Sequence, residues 1–581
     1  MKKLLIPLIA AFAATPVSAA APQQVIDIST DKVSMVLTAA PGGEVYFRHF
    51  GGRIDDPAPL ADYKSNRRSD HGTEDLAYPA TGGRNFREPA LRVTHADGDM
   101  NTELRYVSHA SKQLSDKNVT ETVVKMTDCC QALDVELVFT AYARENVITT
   151  HAVIRNREKG PVTLHSFYSS SLPLKADKYL LTHLYGAWAR EAQVDHTLLT
   201  HGSKSIESTR EVRTTHTENP AFLLTLNSDS FSETYGEVIA GALAWSGNFR
   251  LNFEVDEFDV LTVLAGANPN ASEYRLRPGE TFTTPEMIYT HSFCGAGGAS
   301  RNLHDWARNY GVYHGHEAVP TLLNSWEGAY FKFDAKVLKQ MIDDAASMGL
   351  EMFVLDDGWF GNKYPRNNSN AGLGDWQVNA AKLPEGIDHI ASYAHSKGLK
   401  FGIWIEPEMT NTRSELYEKH PDWVIQQPYR ENRKGRGGTQ QVLDLSNPAV
   451  QEFVFGVVDR LMTAHPDIAY IKWDDNMTLY NYGSTFLPAD RQSHLYIEYH
   501  RGMDKVLRRI QEKYPRLVMQ SCASGGGRVN YGVLPYYDEF WTSDNTDALQ
   551  RIYMQWGVSN FYPAVAMASH VSVDTNYQTG R

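Results

Sequence analysis

The sequence predicts two successive domains, an N-terminal antiparallel β-sandwich and then a (β/α)8 barrel. Three observations carry the prediction. From about residue 22 to 300, apolar residues recur at every second position in short runs separated by Gly, Pro, Asn and Asp, the pattern of half-buried strands. Beyond about Pro320 the period changes, and continuous apolar runs alternate with segments of helical spacing, as in strand–helix units. The chain has 581 residues, 42% of them hydrophobic and 22% charged, an ordinary globular balance with length for several domains.

The elements follow in chain order. Lys2 and Lys3 precede an apolar run from Leu4 to Ala14 and the small residues Val17-Ser18-Ala19. That is the layout of a secretory signal, so residues 1–20 are read as a signal peptide. The apolar run is too short to span a bilayer comfortably. The mature chain is therefore expected in the periplasm, with no membrane attachment after cleavage. Residues 21–315 are read as the sandwich. Leu133 to Phe139 alternates strictly, and Val147 to Ile154 is rich in β-branched residues, which suit a pleated surface. No long helix is expected there.

Residues 316–581 are read as the barrel. Ala335 to Met348 is expected to be a helix, with Leu338, Ile342 and Ala345 on one face and Gly349 as its stop. Met352 to Leu355 is a strand buried on both faces. Ile387 to Lys397 is the next helix, and Phe401 to Ile405 the next strand. Asn447 and Pro448 stand at the N-cap and first position of another helix. Strands near Leu322, Met352, Phe401, Val442, Tyr470, Leu517, Phe540 and Ala564 make eight, the number of a closed barrel.

Composition narrows the function. The net charge is −13, whereas nucleic-acid binders carry a basic excess, so no nucleic-acid partner is expected. Four cysteines, Cys129, Cys130, Cys294 and Cys522, are too few for a disulfide scaffold and include no Cys-x-x-Cys. Ser524-Gly525-Gly526-Gly527-Arg528 lacks the Gly-Lys-Ser/Thr of a phosphate loop, and no Gly-x-Ser-x-Gly elbow occurs. His314-Gly315-His316 reads as a loop. No cofactor is expected; homo-oligomerisation stays open.

Barrel chemistry sits at the C-terminal ends of the strands. Those ends read Asp356-Asp357, Glu406-Pro407-Glu408, Asp444, Asp474-Asp475, Cys522 and Asp544. Acids at so many strand ends predict one shared acidic pocket. Such a pocket without a His cluster fits divalent-metal coordination or glycoside hydrolysis by paired carboxylates. Lys472 lies two residues before Asp474, so both side chains can face the barrel mouth. A lysine there would repel a metal and keep Asp474 ionised, so no metal is expected; a structural ion pair is the plainer alternative. Trp404, two before Glu406, offers a flat apolar face for a sugar or simply fills the core.

At these residues the sequence resembles glycoside hydrolase family 36. The strings are Leu355-Asp356-Asp357-Gly358-Trp359-Phe360-Gly361, Trp404-Ile405-Glu406-Pro407-Glu408-Met409, Lys472-Trp473-Asp474-Asp475-Asn476 and Ser543-Asp544-Asn545-Thr546-Asp547-Ala548. Asn324-Ser325-Trp326-Glu327, Gly525-Gly526-Gly527-Arg528 and Tyr185-Gly186-Ala187-Trp188-Ala189-Arg190-Glu191 extend the resemblance over nearly the whole mature chain. It implies a retaining α-galactosidase acting on sugars such as melibiose or raffinose. It also implies Asp474 as nucleophile, Asp544 as acid/base, and carboxyls roughly 5–6 Å apart. Asp356, Asp357, Trp404, Lys472, Asn476, Cys522 and Gly525 are implied as sugar contacts, with Trp188 at the entrance. A basic residue maps to Arg436, with Arg433 as the fallback. Asp475 departs from the family pattern, and strand alternation points it away from the site. An α-N-acetylgalactosaminidase and a non-catalytic galactoside-binding protein are the alternatives. Family members continue into a last helix and a C-terminal β domain, so the chain as given is expected to lack both.

Overall fold

The computed structural model describes residues 23–63, 69–72, 75–270, 272–572, 575–576 and 578–580. The signal-peptide reading at residues 1–20 lies outside the described residues.

The alternating segments do form antiparallel strands. Leu133–Tyr142 pairs with Val147–Asn156, with Val138 opposite His151. Both belong to a ten-stranded sheet that also holds Tyr179–Ala187, Arg190–Leu198 and Glu218–Leu226. A four-stranded sheet of Ser170–Lys175, Val260–Ala267, Phe249–Val255 and Gly202–Ser208 faces it. Phe222 of the larger sheet meets Phe253 of the smaller edge to face, ring centroids 5.0 Å apart. The inward residues of both sheets, among them Leu137, Phe139, Leu251 and Val263, form one continuous core. Such burial is the main stabilising force of a sandwich.

A helix at Gly295–Trp306 follows the last sandwich strand, Glu286–Ser292. Periodicity does not announce it, because Gly295-Ala296-Gly297-Gly298-Ala299-Ser300 is a poor helix former. Tertiary packing makes it: Ala296, Ala299 and Leu303 are fully buried in a cluster with Ala221, Ala240 and Ala242. Small residues on both sides let helix and sheet approach closely.

In the second domain, seven parallel strands are found among the described residues. In spatial order they are Leu322–Asn324, Met352–Leu355, Lys400–Ile405, Ile468–Trp473, Val518–Ser521, Glu539–Trp541 and Met567–Ala568. Helices Ala335–Ser347, Gly386–Ser396, Pro448–Ala464, Leu495–Lys513 and Ala548–Ser559 connect them. The cap expected at Asn447 forms, its side chain accepting from the Ala449 N–H ahead of Pro448, and Asp334 likewise accepts from the Val337 N–H.

The expected eightfold count is corrected at Val442. Gln440–Val442 pairs antiparallel with Met409–Asn411 in a side hairpin. Phe401 to Ile405 pairs directly with Ile468 to Trp473 instead. A short apolar run shows that a strand is buried, not which neighbour it takes. The last expected strand, near Ala564, begins as a short turn and pairs only at Met567–Ala568.

Candidate active site

The site lies where the parallel strands end. It is built on a cavity of about 1330 Å³ lined by Asp356, Asp357, Trp404, Arg436, Lys472, Asp474, Asn476, Cys522, Asp544 and Trp188. One long stretch of sequence separates each group from the next; the ends of the staves bring them together.

Asp356 leaves its strand with its backbone N–H held by the Ser325 hydroxyl, 2.9 Å away. Its Oδ2 accepts from Asn324 Nδ2 at 2.6 Å and from Lys472 Nζ at 2.9 Å. Lys472 therefore forms its ion pair with Asp356, and acts on Asp474 through its field. Burial opposes its charge, but Asp356, Cys522 and Asp474 together hold the ammonium well above its ordinary pKa. Its Nζ also lies 5.0 Å from the centre of the Trp541 ring, a cation–π contact. Asp357 is gripped by Arg366, whose Nε and Nη2 reach Oδ1 and Oδ2 at 2.9 Å each. Arg366 is 0% exposed, so this fork fixes the carboxylate without itself facing the cavity.

Asp474 sits in a ring of donors. Trp404 Nε1 and Asn476 Nδ2 donate to Oδ2 at 3.2 and 2.6 Å. The backbone N–H groups of Asp475 and Ser524 donate to Oδ1 at 2.8 and 3.2 Å. Burial pushes this carboxyl up, but Lys472 and hydrogen bonds from Cys522 and Asn476 outweigh it and hold the pKa below the ordinary value. Asp474 is an ionised carboxylate at neutral pH.

Asp544 has the opposite setting. Two indoles hold it, Trp188 Nε1 on Oδ2 at 2.9 Å and Trp541 Nε1 on Oδ1 at 3.2 Å. Burial, then the charge of Asp474, pushes its pKa up against the bond from Trp188. Two carboxyls in one cavity are thus driven apart, one toward the anion and the other toward the acid.

The profile described as Melibiase matches residues 281–581, and that of the glycosyl hydrolase family 36 N-terminal domain matches residues 43–277. The chain belongs to glycoside hydrolase family 36. Alpha-galactosidase AgaA of Geobacillus stearothermophilus is 37% identical over 520 residues, 87% of this chain and 70% of that protein. The probable alpha-galactosidase G of Emericella nidulans is 35% identical over 577 residues, 93% of this chain and 76% of that protein. A variant of AgaA in complex with raffinose superposes with a TM-score of 0.91 at 34% identity, covering 96% of this chain and 80% of that one.

Within this family 36 chain not every expected residue reaches the cavity. Gly525 does not line it. Its φ is +85°, and a Cβ there would stand 2.6 Å from the Asp544 backbone nitrogen. Gly525 permits the close approach of its loop to the Asp544 backbone. Four of the strand-end acids also turn away from the shared pocket. Asp475 and Glu408 both pair with buried Arg528, at 2.9 Å each. Glu408 also takes Trp473 Nε1 and the Tyr499 hydroxyl, each at 2.7 Å. Asp444 is held by the hydroxyls of Ser446 and Ser484. Glu406 accepts from the Asn476 N–H at 2.6 Å and Gln440 Nε2 at 2.7 Å. Burial, then Asp474, pushes Glu406 up to about 8. These acids brace the site from behind. Of the two basic candidates, Arg436 lines the cavity, whereas Arg433 does not and bonds through its backbone, its N–H donating to Asn481 Oδ1 at 3.2 Å and its carbonyl accepting from Gln441 Nε2 at 3.1 Å.

The sequence did not point to Arg366, Trp541 and Glu191, nor to Arg213, which lines the cavity and donates to the Ser524 hydroxyl at 3.2 Å. Trp541 carries a usable signal, since it ends a strand three residues before Asp544. Arg366 and Arg213 carry none, because a loop and the other domain deliver them; Glu191 stands inside the string at residues 185–191, but nothing local shows that it reaches the barrel. Among the described residues no group of three His, Cys, Asp or Glu side chains is arranged to hold a metal ion.

Proposed function

We propose that this family 36 chain is a retaining α-galactosidase that removes terminal α-linked galactose from oligosaccharides such as raffinose. One observation carries the reading: Asp474 and Asp544 share a cavity in which one pKa is held down and the other raised. Asp474, ionised, attacks the anomeric carbon. Asp544, protonated, gives its proton to the glycosidic oxygen as that C–O bond breaks, and the aglycone leaves as an alcohol. Asp544, now a base, takes a proton from water. The water oxygen displaces Asp474 from the anomeric carbon and frees galactose. Asp356 and Asp357, oriented by Lys472 and Arg366, accept from sugar hydroxyls, and Trp404 offers an apolar face beside the nucleophile. Raffinose hydrolysis followed by proton NMR tests the proposal. α-Galactose should appear first and then mutarotate. β-Galactose appearing first, or no release of galactose, overturns it. The signal-like residues 1–20 support export to the periplasm, which a mature N-terminus near Ala20 in the periplasmic fraction would verify.

A further inference from the structure

The acid/base loop of the barrel is held largely by the sandwich domain. One hairpin does this, Tyr179–Ala187 with Arg190–Leu198. Its tip is backbone-strained: Ala189 and Ala192 have φ of 60° and 54°, a left-handed conformation disfavoured for residues with a Cβ. The strained tip aims two side chains into the barrel. Trp188 reaches the front of Asp544. Glu191 goes behind it and is 2% exposed. Its Oε2 accepts from the Ser543 hydroxyl at 2.5 Å, and its Oε1 faces the Gly526 N–H at 3.4 Å. Between them the Ala189 carbonyl accepts from Asn545 Nδ2 at 3.0 Å. Residues 543, 544 and 545 are thus each tied to residues 188–191.

The packing leaves little freedom. A Cβ on Gly525 would fall 2.6 Å from the Asp544 nitrogen and 2.8 Å from Glu191 Oε1. Glu191, Gly525 and the Asp544 backbone are therefore stacked in contact. The other groups facing Glu191 are His216, with Nε2 3.8 Å from Oε1, and the charges of Arg551 and Asp544. His216 Nε2–H is already engaged, donating to the Ser524 carbonyl at 2.8 Å.

We propose that Glu191 is a positioning residue for acid/base catalysis, a buried carboxyl of the sandwich domain that fixes the Ser543–Asp544 turn at the barrel mouth. The proposal rests on Asp544 being the acid/base. Glu191 touches no substrate; it acts through Ser543 and Gly526. Burial pushes its own carboxyl up to about 7, and its negative charge lies beside the acid Asp544. A neutral amide in its place removes a negative neighbour and favours ionisation of Asp544.

The test compares Glu191→Gln, Glu191→Asp, Ser543→Ala and Asp544→Ala in the full chain. Each is assayed on raffinose, whose leaving group needs a proton, and on a nitrophenyl α-galactoside, whose leaving group does not. Glu191→Gln should lower kcat/KM on raffinose by about 100-fold, the scale of a misplaced catalytic group. It should lower kcat/KM on the nitrophenyl substrate several-fold at most. The alkaline limb of its pH profile should move to lower pH, and Glu191→Asp should recover part of the loss. Ser543→Ala removes the same hydrogen bond without touching the carboxyl, and should show the same substrate bias more weakly. It decides the matter if Glu191→Gln fails to fold. Equal losses on both substrates, with an unmoved pH profile, would make Glu191 a structural residue only and refute the proposal. If Asp544→Ala itself shows no bias between the substrates, the acid/base assignment falls, and this inference falls with it.

Discussion

Asp474 and Asp544 line one cavity, yet they are supported by different parts of the molecule. Every partner of Asp474 comes from the barrel: Trp404, Asn476 and the backbone of residues 475 and 524. Asp544 takes one indole from the barrel and the other from the sandwich, 356 residues away. The number and kind of donors differ accordingly. A carboxylate ringed by donors with an ammonium nearby is held toward its ionised form, while one held by two neutral indoles and facing an anion is pushed toward its neutral form. The barrel alone can build the nucleophile; the acid requires both domains.

The largest test of this contrast removes each carboxyl. Asp474→Ala should abolish turnover of raffinose and of a nitrophenyl α-galactoside alike, since no leaving group replaces a nucleophile. Asp544→Ala should lose about 10²–10⁴-fold on raffinose, the usual scale of proton transfer, and markedly less in kcat/KM on the activated substrate. Steady-state kinetics on the two substrates would show it, and equal losses would erase the distinction.

Next in size is Lys472→Met. Without the ammonium, the pKa of Asp474 rises, so the acidic limb of the kcat/KM profile should move up by on the order of one pH unit or more. An unmoved limb would mean that the ring of donors alone keeps Asp474 ionised. Trp188→Phe acts on the other carboxyl and should do less. The Trp188 bond favours the ionised form of Asp544, so its loss raises that pKa further. The alkaline limb should then shift upward by less than about one unit, and pH–rate profiles would resolve both shifts.

The smallest effect is on stability, and its sign differs between the two groups. The Asp474 pKa is depressed on folding, so its contribution is present above the unfolded value of about 3.9. It is lost as the pH falls through the folded pKa. The Asp544 pKa is raised, so its contribution is complete below about pH 3.9. It is lost as the pH rises through the folded pKa. Asp544→Asn should therefore melt slightly above the parent at neutral pH, and Asp474→Asn slightly below. Thermal melts across pH 3–8 would reveal the crossing, and parallel curves would argue against opposed pKa shifts.

The neighbouring pair Asp474 and Asp475 shows how far a sequence can be read. Period two places Lys472 and Asp474 on one side and Asp475 on the other, and Asp475 indeed turns to Arg528, 2.9 Å away. The same reasoning fails at Glu406, Glu408 and Asp444, which follow strands yet lie outside the cavity. Beyond the last strand residue the loop path, not the pleat, decides direction. Gly525 is a different case. Its motif marks a loop close to the site, and the structure adds that this loop closely approaches the Asp544 backbone.

By itself the sequence determined the two architectures, the Asn447 helix cap and the buried staves. These are local properties, set by periodicity and by residues a few positions apart. Only the tertiary structure decided that Val442 joins a side hairpin, that Arg366 clamps Asp357, and that Trp188 and Glu191 reach Asp544 and Ser543. An apolar stripe states which face will be buried but leaves open what it will be buried against. That choice depends on chain closure and packing among segments hundreds of residues apart, and no local pattern records it.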